Sequence, residues 1–355
     1  MKRFFPPIAS FLLILFVLNH VSFACTTFCL KSNGEVLFGK NYDWMVGDAL
    51  IFINKRGVEK SASPEGAATP ARWVSKYGSV TFNQYGRENP SGGMNEAGLV
   101  VELMWHEEAQ YPKADTRPIV GTLEWIQYQL DSSATVAELI SNSQKIRIAS
   151  EIPLHYLVSD KAGNTATIEF LHGELLAHVG KTLTVPALTN DSYHKSVKYA
   201  LATPLENAKS TSSLDRFVRA AQGTAKFERQ SKSQQEAVNY AFEILGNVAQ
   251  PGYTQWSIVY DQKRGKIYFR TLQSPQIKII DSGAFDYACT SAVKIFDANS
   301  KESGEVTTKF ADYHRSANRN LIERSFNGTD FLRRVPASEK DAAASRPETF
   351  PCKAR

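Results

Sequence analysis

The sequence predicts an α+β fold in which two mainly antiparallel sheets are covered on their outer faces by helices. Three observations carry this expectation. The patterned segments run strands, helices, strands, helices, strands along the chain. Turn signals of hairpin type separate the strand segments, which makes antiparallel neighbours the rule. The helical segments fall into two groups, enough to cover two sheets.

The first strands come early. "CTTFCLKS" alternates, meets Asn33-Gly34, and resumes as "EVLFGKNYDW" (35–44). Asn-Gly between two such runs is a strong hairpin signal. "ALIFINK" (49–55) reads as a further strand, and "GLVVELMW" (98–105) is apolar enough to be a strand buried on both faces. Helices come next. "TLEWIQYQLD" (122–131) spaces its apolar residues for one helical face, and "TVAELISNS" (135–143) opens with Thr135 and Glu138 as a capping box. "LHYLVSD" (154–160), "TATIEF" (165–170) and "LLAHV" (175–179) form a meander with glycine-containing turns. "SSLDRFVRAAQ" (212–222) and "QEAVNYAFEILGNV" (235–248) read as helices. "QWSIVYD" (255–261), "KIYFRT" (266–271) and "QIKIID" (276–281) supply the last sheet strands.

The chain has 355 residues, 43% of them hydrophobic, which suffices for a substantial core. Its start has the three parts of a secretion signal: Lys2-Arg3, the apolar run Ile8–Leu18, and the small-x-small site Ser22-Phe23-Ala24. Cleavage after Ala24 makes Cys25 the first residue, in a periplasmic or secreted protein. The remaining chain carries 39 basic and 36 acidic residues, a formal charge of +3. That balance, with no basic stripe interleaved with aromatics, argues against nucleic acid. No later segment is long and apolar enough to cross a bilayer. The organisation read from the chain is a signal peptide (1–24), a main domain (25–299), and a polar extension (300–355) that is partly ordered at most.

Cys25, Cys29, Cys289 and Cys352 remain after cleavage. Cys289 with Cys352 would tie the tail to the body. Cys29 competes for either partner, and the sequence does not give connectivity. No close cysteine or histidine pair completes a metal site around Cys25 and Cys29, and the chemistry of a leading cysteine needs neither metal nor organic cofactor.

A leading cysteine carries a nucleophile and a base on one residue. Its α-amine has a reference pKa near ~8, low enough to accept the thiol proton near neutral pH. It needs a carboxylate to hold the amine, a cation to favour the thiolate, and donors for an oxyanion. The strand "FGKNYDW" (38–44) can bring Lys40 and Asp43 beside Cys25. Read blandly, Lys40 is a solvated edge charge and Asp43 a turn carboxylate.

At these residues the chain resembles the choloylglycine hydrolase and penicillin V acylase family, N-terminal-nucleophile hydrolases of linear amides. "CTTF", "LFGKNYDW", "GGMNEAGLVVELMW" (92–105), "LHYLVSDKAGNTATIEF", "LTN" (188–190), "DRFVR" (215–219) and "TQWSIVYDQKRGKIYF" (254–269) carry the likeness, in order, from Cys25 to about Asp281. The resemblance implies a four-layer αββα sandwich. It implies that Cys25 is the nucleophile, Asp43 the acid holding its amine, Asn190 an oxyanion donor, and Arg216 a support by charge. It implies as substrate a small-molecule N-acyl amide, such as penicillin V, a conjugated bile salt or an N-acyl homoserine lactone. No stable membrane insertion after processing is implied. Family members often form tetramers, so a homo-oligomer is implied too.

Two departures stand out. Lys40 occupies a position where the family usually has arginine, keeping the charge and losing the planar fork. Trp105 stands where an asparagine or tyrosine is usual. Its backbone N–H can still donate to an oxyanion, and its ring, with that of Trp44, would wall the acyl pocket. The rival reading from another class is a lipid-anchored binding protein acylated at Cys25, without catalysis. A third is a Cys–His hydrolase using His106, His155 or His194, to which no local signature points.

Overall fold

The computed structural model describes residues 25–64, 68–228 and 233–353. The expected signal peptide, 1–24, lies outside the described residues.

The Asn33-Gly34 turn forms as the sequence predicts. Both residues take positive φ, 48° and 84°, the requirement of a two-residue hairpin turn whose twist matches its strands. It joins Thr26–Ser32 to Glu35–Asp43, in register from Ser32↔Glu35 to Thr26↔Asn41. Thr254–Asp261 pairs on the other side of Glu35–Asp43. These three strands are the centre of a seven-stranded sheet. Close approach of strand to side chain is built in: a Cβ on Gly39 would stand 2.3 Å from the ring of Phe28.

A nine-stranded sheet faces the first. Its centre is the meander strands Leu154–Ser159 and Thr165–Leu171 with Val100–Trp105, Gly92–Asn95, Ser79–Asn83 and Leu50–Asn54. Pairing within both large sheets is antiparallel, except where Lys278–Asp281 meets Gly304–Glu305 in parallel. Aromatic side chains lock the two sheets face to face. Phe82 of the larger sheet meets Trp256, Tyr260 and Phe269 of the smaller one at centroid distances of 6.3, 6.5 and 5.3 Å.

Seven helices flank the sheets among the described residues: α1 (Thr122–Ser132), α2 (Val136–Ser143), α3 (Tyr193–Ala202), α4 (Ser213–Glu228), α5 (Gln234–Asn247), α6 (Arg315–Gly328) and α7 (Ala337–Ser345). α4 and α5 lie on the strands around Cys25, and α3 on α4. α1 covers the larger sheet, and α6 joins it through Leu321, which packs with Leu50, Phe52 and Ile295. The order of layers is helix, sheet, sheet, helix, the expected αββα sandwich. α2 starts as predicted, with Thr135 accepting from Glu138 N. Glu138 reaches one residue further back than a capping box requires, to Ala134 N at 2.7 Å.

The reading of 300–355 as an extension ordered in part at most is corrected. Gly304–Glu305 and Ala311–Asp312 add strands to the two sheets. α6 buries Leu321 and Ile322, and Asn318 Oδ1 accepts from Arg87 N at 2.8 Å. Cys352 is disulfide-bonded to Cys289, while Cys29 is a free, buried thiol. These ties reach far back along the chain, so local composition does not reveal them.

Candidate active site

The first hairpin and α4 place the predicted residues together. Cys25 precedes the first strand and Asp43 ends the second, so the register puts both at one end of the smaller sheet. Cys25 Sγ lies 4.0 Å from the Asp43 carbonyl oxygen and is buried. Burial pushes the thiol above its ordinary range; the charge of Lys40 is the largest influence drawing it back.

Asp43 is buried and asymmetrically bound. Oδ1 accepts from Thr254 Oγ1 at 2.5 Å, while Oδ2 has no hydrogen-bond partner among the described residues. Burial pushes the carboxyl up to about 6, opposed by the charge of Arg216, the Thr254 hydroxyl and the charge of Lys40.

Arg216 enters from α4, fully buried, with four of its five N–H donors matched. Nη1 donates to the Cys25 carbonyl at 2.7 Å and to Thr26 Oγ1 at 2.5 Å. Nη2 donates to Asn190 Oδ1 at 2.9 Å, and Nε to Thr211 O at 3.0 Å. It acts on Asp43 by charge from a distance. Burial lowers the guanidinium only to about 10, so the cation persists at neutral pH.

Asn190 comes just after the short strand Ala187–Leu188, and Ser213 Oγ at the start of α4 accepts from its backbone N–H. Its Nδ2 donates to Trp105 O at 2.8 Å. An amide nitrogen carries two hydrogens, so one remains for a ligand. Trp105 sits opposite Leu154, one step along from the hydrogen-bonded pair His106 and Pro153. In an antiparallel ladder that position directs N–H and C=O away from the partner strand, toward Asn190. The Trp105 indole turns aside and donates to Glu107. Its ring tilts against that of Trp44 at 5.9 Å.

Lys40 is the departure from the bland reading. It is fully buried, donates to Leu103 O, and lies 3.8 Å from Glu102. Glu102, pushed up to about 7 by burial and drawn down by Lys40, also accepts from Tyr260 at 2.6 Å. Gly92 makes room for it: a Cβ there would stand 2.2 Å from the Glu102 carboxylate.

Sequence reasoning missed Thr26, Thr254, Ser213 and Glu102. Glu102 left a signal, being the one charged residue in an otherwise apolar strand, where burial demands a partner. Thr26 adjoins Cys25 but is an ordinary strand hydroxyl, and Thr254 and Ser213 are hydroxyls brought in from afar. Of the histidines considered as partners for Cys25, His106 and His155 serve the Asn190 loop instead. His106 Nδ1 meets Asn190 O at 3.0 Å and His155 Nε2 meets Thr189 O at 2.6 Å. With Glu169, these two rings bring three donor atoms within 4.8 Å of one another, the one group among the described residues that could hold a metal ion.

A cavity of about 550 Å³ opens beside Asp43, lined by Tyr42, Trp44, Leu103 and Trp105 and continuing to Leu154 and Phe326. Its size is ordinary for a small-molecule site. The profile of linear amide C–N hydrolases of the choloylglycine hydrolase family matches residues 25–207 and 208–294.

The chain belongs to the choloylglycine hydrolase family. It is therefore an amidohydrolase acting on the carbon–nitrogen bonds of linear amides. A penicillin V acylase of Pectobacterium atrosepticum is 26% identical over 340 residues, covering 81% of this chain and 89% of that protein. The structure of penicillin V acylase from Agrobacterium tumefaciens superposes with a TM-score of 0.71 at 29% identity, covering 82% of this chain and 98% of that one. A variant of a conjugated bile acid hydrolase from Clostridium perfringens shares the fold, with a TM-score of 0.64 at 20% identity over 79% of this chain and 98% of that one.

Proposed function

We propose that this choloylglycine hydrolase family member is exported, loses residues 1–24, and hydrolyses N-acyl amides with an apolar acyl half through Cys25. The observation that carries the reading is Asp43 Oδ2, a buried carboxylate oxygen beside Cys25 with no hydrogen-bond partner among the described residues. A buried acceptor of that kind is costly unless a donor meets it. In this reading the α-amine of Cys25, freed by cleavage, is the donor that meets it.

In this scheme the amine takes the Cys25 thiol proton and the thiolate attacks the amide carbonyl carbon. Asn190 Nδ2 and the Trp105 N–H hold the oxyanion. The C–N bond breaks, the ammonium returns the proton to the departing nitrogen, and a thioester remains on Cys25. Water, deprotonated by the same amine, cleaves the thioester and releases the acid. Lys40 and Arg216 offset the charge of thiolate and oxyanion.

Two observations support export and processing. The family profile begins at residue 25. The Cys289–Cys352 disulfide suits an oxidising compartment. A thiol only 3% exposed leaves little room for a diacylglyceryl anchor on Cys25, which weighs against the lipid-anchored reading. The cavity walls of Trp44, Trp105 and Leu103 suit an aryl- or fatty-acyl group, as the names of the two penicillin V acylases also suggest.

The test is amine release by protein beginning at Cys25 from penicillin V, glycocholate, a long-chain acyl homoserine lactone and a fatty acyl glycine. Release that disappears in Cys25→Ala is expected. Equal release by Cys25→Ala sinks the scheme.

A further inference from the structure

The family profile stops at residue 294, but the cavity beside Asp43 does not. Its far side comes from the C-terminal segment: Phe326 in the last turn of α6, Phe331 and Leu332 in the turn beyond, and Ala343 in α7.

This segment is coupled to the reaction centre. Trp44 Nε1 donates to Tyr85 OH at 2.6 Å, and Tyr85 lies 3.0 Å from Thr329 Oγ1. Thr329 donates its own hydrogen to Ser325 O, so the Tyr85 hydroxyl is the donor to Thr329. One directed relay thus runs from an active-site tryptophan into the end of α6. Further ties hold the segment. Arg324 pairs with Asp48 at 2.6 Å and Arg346 with Glu124 at 3.0 Å. Gly328 lets α6 approach Val46, which a Cβ would reach at 2.7 Å.

The chemistry of the wall points to what it receives. Phe331 keeps 52% of its surface exposed while lining the cavity, apolar area that a ligand would cover. Of the carboxylates in the wall besides Asp43, Glu151 is exposed, and Glu124 is buried and already engaged. Glu124 accepts from Ser63 N and Oγ and from Gly121 N, besides pairing with Arg346. It offers no free charge to a polar amine.

We propose that the C-terminal segment is the distal wall of the acyl pocket, and that Phe326, Phe331 and Leu332 set the length of an uncharged, carbon-rich acyl group. The inference rests on the reading of Cys25 as nucleophile and of this cavity as the acyl side.

The experiment measures kcat/KM on N-acyl glycines from butanoyl to tetradecanoyl. Phe331→Ala and Leu332→Ala enlarge the pocket, and Ala343→Leu fills it. One methylene in an apolar pocket is worth about 10-fold or more in discrimination. The long-to-short ratio should therefore rise about 10-fold in the first two variants and fall in the third. Equal scaling of every substrate in all three variants overturns the wall and leaves the nucleophile standing. If no substrate is cleaved in a Cys25-dependent way, the nucleophile reading fails and binding decides the wall separately. Butanoate to tetradecanoate are then titrated into Cys25→Ala protein, with and without Phe331→Ala. A chain-length preference that moves with Phe331 upholds the wall. Absent binding, or an unmoved preference, overturns it.

Discussion

Arg216 and Asn190 meet through a hydrogen bond of 2.9 Å from Nη2 to Oδ1, and that bond decides which way the asparagine amide faces. A guanidinium has only donors, so the amide must turn its oxygen to it and its nitrogen to the Trp105 carbonyl. Asn190→Asp keeps the shape and the acceptor for Arg216 but removes both N–H donors. Steady-state kinetics should show kcat lower by about 10²–10³-fold, the usual consequence of losing one oxyanion donor, with a smaller change in KM. A variant with unchanged kcat removes Asn190 from the oxyanion site. Arg216→Lys cannot serve Cys25, Thr26, Thr211 and Asn190 together, so kcat and melting temperature should fall in step.

Lys40 and Glu102 form an ion pair buried between the sheets, 3.8 Å apart. Removing one partner of such a pair typically costs about 3–5 kcal/mol, because the other is left charged and alone. Lys40→Met removes the charge that draws Glu102 down, so the Glu102 carboxyl rises further above about 7. A carboxyl raised in the folded state binds more protons there than in the unfolded chain, so stability falls as pH rises. Urea unfolding should show the deficit of Lys40→Met growing from pH 5.5 to pH 8, and the double variant with Glu102→Gln should reduce that growth to the part carried by Asp43, which Lys40 also draws down. A deficit independent of pH would remove the coupling.

The elements that position Cys25 and Asp43 were legible because their signals are local. Asn33-Gly34 sets the hairpin, and the hairpin register alone carries Asp43 to Cys25. The depth of Lys40 was not legible. The same alternating strand fits an edge or a sheet interior, and only the second sheet across from it settles which. Thr254 lies 211 residues from the Asp43 that it binds, with no sequence pattern joining them. The tail misled for a related reason. "ASEKDAAASRPETF" is polar because α7 rests on α6 and buries little beyond Lys340 and Ala344, while distant partners supply its order.

His106 gives the Asn190 loop a pH-dependent support. A carbonyl oxygen only accepts, so His106 Nδ1 carries the hydrogen toward Asn190 O, and Nε2 is buried with no hydrogen-bond partner among the described residues. The ring stacks on His155 at 4.4 Å. Burial, with His155 second, pushes His106 down from its ordinary 6.5 to about 4. Between these values the unfolded chain binds more protons than the folded one, so stability rises with pH. The contribution is complete above about 6.5 and lost as pH falls toward 4, roughly 3 kcal/mol in all. Asp43 and Glu102 titrate in the opposite sense over part of this window, but in both proteins of a comparison with His106→Gln. The stability advantage of the parent over that variant should therefore shrink as pH falls from 7 to 4. A constant difference across this range contradicts the neutral, buried ring.

The Cys289–Cys352 disulfide closes a loop with a sequence separation of 63. Chain-entropy reasoning gives about 4 kcal/mol for a loop of that size, as a ceiling reached only when the tail unfolds with the rest. α6 has its own ties, through Asn318 to Arg87 and Leu321 to Phe52, so it should stay in place when the bond is cut. The last residues, beyond α7, have fewer. Pro351 accepts from Glu59 N and Lys353 donates to Gly57 O, contacts that the disulfide holds in register. Cys352→Ser should therefore lower stability by less than that ceiling, about 1–3 kcal/mol, and speed hydrogen exchange at Glu59 and Lys353 before it does so in α6. Loss of protection throughout α6 at the same rate would mean that the tail and the helix open as one unit. The disulfide would then be what keeps Phe326 and Leu332 at the pocket.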